Sequence, residues 1–485
     1  MEKLENVKAG AIDSVVFILD FQASIASGHL VHETKRFHDK YGPIVRLAPN
    51  ELSFISPSAW QDIYGHRKRG HKEMTKNPIW AQPSPNGAFS LINCKEEDHA
   101  RMWKPFVPAF SMRALKAQEE IIQGYVSMLM EKLKSRATSG DVVVDIKDYY
   151  NWTTFDIIGD LGFGEPFDCL QNEQYHQWVS FLFGHLIAGA LLASVNFYPW
   201  IFKALLALVP KSAHQAALAH HAMSCDKAKR RMNLRTDRKD IFSHVLALND
   251  EKGLTLPELE ATAAIIILAG SESTSTMLTG TTNSLMRNPE KLSKLTDEVR
   301  SSFRKESNIT LDALEQLTYL RAVFQEAFRL LPPVPTQIPR IVPPEGDTIC
   351  GHFIPGNTFV GLPQYAAYRS TENFIHPSSF LPERWLPSDS PLFVPSSSDP
   401  AFDKTTFLND NKGVVPPFSV GPRNCIGFNL AYAEMRLVLS RLLWNMDLEF
   451  PDTCGRKDDR LVFEEQKTYA LWEREPFRAK LFWVR

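Results

Sequence analysis

Cysteine is scarce in this chain: six among 485 residues, none in a CxxC pair. That argues against a disulfide scaffold and fits a reducing intracellular compartment. Net charge is nearly missing too, since 54 lysines and arginines face 56 aspartates and glutamates, leaving −2. So balanced a chain does not hold nucleic acid by bulk electrostatics, and no nucleic-acid partner is expected. The basic run Lys227 to Arg231 is short and reads as a solvated helix face; a patch for an acidic partner is the other reading. There is no internal repeat, no flexible linker and no G-x-G-x-x-G after a strand, so no dinucleotide domain is expected. The N-terminus carries mixed charges, and Val15 to Leu19 is too short to span a bilayer. Neither a signal peptide nor an N-terminal anchor is read there.

What is present is a large apolar fraction, 44%, beside 23% charged residues, the balance of a folded globular protein. Its strongest apolar stretch is internal, Phe181 to Pro210. Asn196, Pro199 and Lys203 interrupt it, so it reads as two short helices packed on the core or dipping into a bilayer surface. Ile44 to Leu47 and Glu51 to Ile55 are β-prone runs around Pro49-Asn50, a small hairpin. Helical patterns dominate from about 95 to 330. Thr255, with Glu258 three positions on, forms a capping box for a helix predicted to reach Arg287. Its middle, Ala261 to Ala269, is apolar all round and should be buried. A second helix is predicted over Leu317 to Leu331, ended by Pro332-Pro333. Cys350 to Val360 reads as one hairpin, and a last amphipathic helix runs over Ile426 to Trp444. The fold class is mainly α with small β lobes, organised as an extension over 1–36 and a single domain over 37–485.

The segment Phe418-Ser-Val-Gly-Pro-Arg-Asn-Cys425-Ile-Gly427 puts one cysteine just before a helix, between two glycines. N–H groups at a helix start favour a thiolate, and Arg423 adds positive charge for it or for a ligand carboxylate. Glycine lets the backbone approach a flat ligand. This segment resembles the haem-binding loop F-x-x-G-x-R-x-C-x-G of the cytochromes P450, with Phe418, Gly421, Arg423, Cys425 and Gly427 matching. The resemblance implies the cytochrome P450 fold and haem b, with the Cys425 thiolate on the iron. Glu326-Ala-Phe-Arg329 is similar to the family's E-x-x-R pair, and Pro382-Glu-Arg-Trp385 to its P-E-R-F segment with Trp for Phe. Together they imply a buried cluster in which Arg329 and Arg384 hold Glu326.

Ala269-Gly-Ser-Glu-Ser-Thr274 resembles A-G-x-D/E-T-T. It implies that Gly270 leaves room over the haem and that Glu272 and the next hydroxyl deliver protons. Ser273 stands where threonine is usual, and Thr274 is a possible helper. Arg340 and Arg423 are the implied propionate partners. His99 and Trp103 fit W/H-x-x-x-R imperfectly, because Trp103 carries no charge; Arg101 and Lys104 are candidate substitutes. Val334, Pro335, Thr336 and Gln337, with Ile265 to Glu272, are expected to line the substrate pocket.

Tyr41 to Phe54 and Gln364 to Ser370 are similar to filamentous-fungal P450s of secondary metabolism. The implied activity is monooxygenation of a hydrophobic small molecule with O2. Electrons would come from a separate NADPH–cytochrome P450 reductase docking near the cysteine loop, with cytochrome b5 as a possible second donor. The implied place is the cytoplasmic face of the endoplasmic reticulum through peripheral membrane contact, or else the cytoplasm. A haem-thiolate isomerase, dehydratase or reductase, and a non-enzymatic carrier of haem or apolar ligands, are the alternatives.

Overall fold

The structure is a computed structural model, and it describes residues 23–67, 72–78, 81–140, 142–176, 200, 203, 211–233, 240–248, 253–387, 389–393, 405–451 and 461–485. Helices make most of it. Those that matter here are α1 (Leu30–Tyr41), α2 (Glu96–Trp103), α3 (Glu119–Thr138), α4 (Ile146–Phe163), α5 (Leu256–Arg287), α6 (Pro289–Ser302), α7 (Thr318–Leu330) and α8 (Phe428–Asn445). The apolar stretch Phe181 to Pro210 lies, except for Trp200 and Lys203, outside the described residues.

α5 is the axis of the core. Its 32 residues span about 50 Å at 1.5 Å per residue. The capping box is formed at its start: Thr255 Oγ1 accepts from the Glu258 N–H, and Glu258 Oε2 accepts from the Thr255 N–H at 2.8 Å. Replacing Thr255 by alanine should therefore destabilise the protein by about 1 kcal/mol in denaturant unfolding; equal midpoints would show that packing alone sets this helix end. α5 packs most extensively on α4, which is buried along nearly its whole length. It is the one helix among the described residues long and apolar enough to cross a membrane, and it is mostly inside the protein. The all-round burial expected for Ala261 to Ala269 holds only in part. Ala264 to Ile266 and Leu268 to Gly270 keep some exposure, so one face of the apolar turns borders open space.

The strands are short: β1 (Ile44–Ala48), β2 (Glu51–Phe54), β3 (Thr75–Lys76), β4 (Val143–Asp145), β5 (Arg340–Ile341), β6 (Asp347–Ile349), β7 (His352–Ile354), β8 (Phe359–Gly361), β9 (Met446–Glu449), β10 (Thr468–Tyr469), β11 (Leu471–Trp472) and β12 (Arg478–Trp483). One sheet runs β1-β2-β8-β5-β3, and a smaller one β4-β12-β9. The predicted β1–β2 hairpin is present. The single hairpin predicted for Cys350 to Val360 is not. β6 and β7 close around Cys350-Gly351, while β8 leaves them to run parallel to β2. The reason is non-local: β8 pairs antiparallel with β5 on one edge and, on the other, parallel with β2 about three hundred residues upstream, which no short window can show.

The boundary expected at residue 36 falls inside α1. Val31, Thr34, Phe37 and His38 bury one face of that helix. Its entry is tied down by the Thr468 N–H donating to the Gly28 carbonyl at 2.8 Å.

Candidate active site

The cysteine loop is shaped by aromatic packing and one left-handed glycine. Phe418 packs edge-on 5.2 Å from Phe328 of α7 and tilted 5.2 Å from Tyr432 of α8. From that anchor the chain turns back, and the Cys425 N–H donates to the Phe418 carbonyl at 2.8 Å. Gly421 has φ +75°, and the Tyr64 carbonyl occupies the place a Cβ would need. No other residue fits there without strain. Gly427 precedes the first turn of α8. Burial pushes the Cys425 thiol up, and a hydrogen bond from the Gly427 N–H partly offsets this. The residue is nonetheless exposed, whereas Cys94, Cys169 and Cys225 are buried. An open face over Cys425 is what a ligand of its sulfur would require.

Arg423 does not serve the thiol. Its Nη1 donates to the Cys94 carbonyl at 3.0 Å. It lines a cavity of about 780 Å³ with Tyr64, Glu73, Lys76 and Arg340. Arg340 on β5 is 6% exposed, its guanidinium lies 5.2 Å from the Tyr64 ring, and Nη1 has no partner among the described residues. His99 on α2 is buried, with its ring 5.1 Å from that of Trp103. Burial, Arg423 and Lys76 together press its pKa to about 4, so it is neutral at physiological pH. Trp103 is half-buried against the core. Of the two candidate substitutes, one is engaged elsewhere and the other is exposed. Arg101 pairs with Glu258 at 2.7 Å and Asp98 at 2.8 Å, and Lys104 is exposed. Glu258 caps α5, and that is what turns Arg101 away.

Glu326, Arg329 and Arg384 form the expected cluster, each 0% exposed at the side chain. Glu326 accepts five hydrogen bonds: Arg329 Nε and Nη2, Arg384 Nε, the Leu381 N–H and Trp385 Nε1. Trp385, the departure from the family pattern, thus adds a donor where phenylalanine has none. Sequence reasoning left one positive charge over. Asp410, 1% exposed, takes it by accepting from Arg384 Nη1.

On α5, Glu272 is 2% exposed. Its Oε1 accepts from Arg474 Nη2 at 2.5 Å, while Oε2 is buried and has no partner among the described residues. Burial raises the Glu272 carboxyl, and Arg474 opposes the rise. Arg474 also donates to Ser275 Oγ at 2.7 Å and to Asn151 Oδ1 of α4 at 2.8 Å. The sequence reading missed Arg474, which lies 202 residues from Glu272 with no motif around it. Ser273 Oγ donates to the Ala269 carbonyl at 2.6 Å and not to Glu272. Such back-bonding is the ordinary habit of a mid-helix serine. Thr274 is buried. A Cβ on Gly270 would come 2.9 Å from Ile158, so the room it leaves is taken by the close approach of α4. Pro335 is buried, and Gln337 donates to Glu51, so these two of the four expected pocket residues are engaged elsewhere; Val334 and Thr336 stay half-buried.

The family described as Cytochrome P450 matches residues 14–472. The chain is 39% identical to cytochrome P450 monooxygenase astJ of Aspergillus oryzae, covering 96% of this chain and 89% of that protein. It is 40% identical to cytochrome P450 monooxygenase astA of Talaromyces wortmannii, over 93% and 86%. It is also 40% identical to cytochrome P450 monooxygenase FUM2 of Gibberella moniliformis, over 94% and 93%. With a match over nearly its whole length, the chain belongs to the cytochrome P450 family.

Proposed function

We propose that this P450 inserts one oxygen atom into a hydrophobic secondary metabolite of a fungus, with Cys425 as the haem ligand. The observation that carries the reading is a pairing of opposites. An exposed cysteine opens the last long helix, and nearby Arg340 and Arg423 have no carboxylate within 4 Å among the described residues. A haem fits both needs, since its iron takes a thiolate and its propionates take guanidiniums. The bound haem would supply the activation of O2. Phe418 and Gly421 would fix the loop, and Gly427 would orient an N–H toward the sulfur. Arg340, Arg423 and neutral His99 would hold the propionates, with Trp103 stacked on His99. Glu326, Arg329 and Arg384, joined by Asp410, would brace the same side of the fold.

Proton supply would fall to α5. Glu272 Oε2 would hold the proton, Arg474 would keep the carboxylate in place, and Ser273 Oγ would pass the proton on after releasing the Ala269 carbonyl. Thr274 lies one position further along. The partly exposed Ile265, Ile266 and Leu268, with Val334 and Thr336, would form an apolar pocket wall. Electrons would arrive from an NADPH-dependent reductase, with cytochrome b5 as a second donor, at the cytoplasmic face of the endoplasmic reticulum.

Membranes carrying this protein and a fungal reductase should convert a component of host extract to a product heavier by one oxygen atom. Absence of such products across extracts, in protein that binds haem, would count against the reading. Glu272→Gln should lower product formation about 100-fold while NADPH oxidation continues. An unchanged rate would show that Glu272 holds no proton the reaction needs, whereas substrate consumed with no oxygenated product, in wild type as in the variant, would point to an isomerase, dehydratase or reductase.

A further inference from the structure

Three more cations line the cavity beside Arg340 and Arg423; Arg67 is paired with Asp347 at 2.8 Å and Lys95 is 70% exposed, which leaves Lys76. Lys76 on β3 pairs in register with Arg340 on β5, so the two side chains leave the sheet on the same face. Both line the 780 Å³ cavity with Arg423. Lys76 Nζ donates to the Ile92 carbonyl, and among the described residues no carboxylate lies within 4 Å of it. Burial, then Arg340 and Arg423, presses its pKa down to about 7. Three cations so close repel one another, and their convergence is stable only around an anion. Of the carboxylates lining the cavity, Glu96 and Glu97 are exposed, and the half-buried Glu73 is the one whose carboxyl feels both Arg423 and Arg340. α2 supplies no cation: Arg101 is held by Glu258, Lys104 is exposed, and His99 is neutral.

We infer that Lys76 is the third cation that holds the haem propionates, beside Arg340 and Arg423. The inference rests on the haem reading above. Two propionates would supply the counter-charge that these three unpaired cations lack, and Lys76 would stand in for the charge that α2 lacks. A lysine suits the position because its ammonium reaches as a point charge from a strand edge, with two N–H groups left after Ile92 takes one.

The test is the rate of haem transfer to a scavenging apoglobin. The wild-type ferrous–CO spectrum is recorded first; without a thiolate-type Soret band the underlying reading fails, whatever Lys76 does. Given that band, Lys76→Gln should lose haem about tenfold faster or more. Lys76→Arg should stay within about twofold of wild type, because it restores the charge. Lys95→Gln is the control, since Lys95 lines the same cavity but is 70% exposed; it should leave the rate unchanged. Equal rates for Lys76→Gln and wild type would overturn the inference, as would an equal acceleration in Lys95→Gln. Reconstitution with haem dimethyl ester separates contact from misfolding. Without propionate charge, wild type and Lys76→Gln should lose the ester at one rate, and a persisting difference would mark Lys76 as merely structural.

Discussion

Glu326→Ala is expected to leave little folded protein. Five donors converge on this carboxylate, two of them from Arg329 and one from Arg384, with all three side chains fully buried. Burial pushes the Glu326 carboxyl up, but the two guanidiniums outweigh it and bring its pKa to about 2. Without it, Arg329 keeps only the carbonyls of Tyr368, Pro377 and Ser379, and Asp410 alone faces two buried positive charges. Breaking a buried pair in this way costs about 3–5 kcal/mol. Domains are commonly stable by only about 5–15 kcal/mol, so the loss is a large part of the margin. Soluble yield and far-ultraviolet circular dichroism should both collapse; a variant unfolding within about 1 kcal/mol of wild type would refute the argument. The sign of the pH effect follows. The folded carboxyl titrates below its ordinary 4.5, so its stabilisation is complete above that pH and is lost as pH falls toward about 2.

The same cluster shows how far the sequence could be read. Glu326 and Arg329 are three apart on α7, and the helix that carries them is visible as an apolar stripe. Local rules also find the α5 cap, because a capping box closes within four residues. Asp410 and Arg474 are not legible. Each sits in an irregular segment without periodicity, and each meets its partner only because distant strands and loops fold over the helices. The same holds for Lys76, placed by a two-residue strand whose register with β5 no window contains. Ser273 is legible as a hydroxyl in the expected place, yet its partner, the Ala269 carbonyl, is a choice among rotamers that spacing does not decide.

Cys425→Ser should separate chemistry from folding, as Glu326→Ala does not. Cys425 is exposed, and the bond its backbone makes to the Phe418 carbonyl survives any side chain. The apoprotein should therefore unfold within about 1 kcal/mol of wild-type apoprotein. Iron ligation is another matter. Burial already raises the Cys425 thiol, and only the Gly427 N–H lowers it, so the thiolate forms because the metal takes it. A serine hydroxyl is far less acidic, and among the described residues Arg423, two positions away, is turned to Cys94 and does not hold an alkoxide there. The variant should bind little haem, lack the red-shifted Soret band of a thiolate-ligated ferrous–CO complex, and form no product. Retention of that band would mean a different thiol binds the iron. Cys94 is the alternative to exclude, since it lines the neighbouring cavity and its sulfur lies 3.6 Å from Arg423. Burial raises that thiol too, though Arg423 and Lys76 partly offset it. Cys94→Ser should keep the band in full, because Cys94 is buried while Cys425 opens outward. Only the pair of results, loss in one variant and persistence in the other, assigns the sulfur.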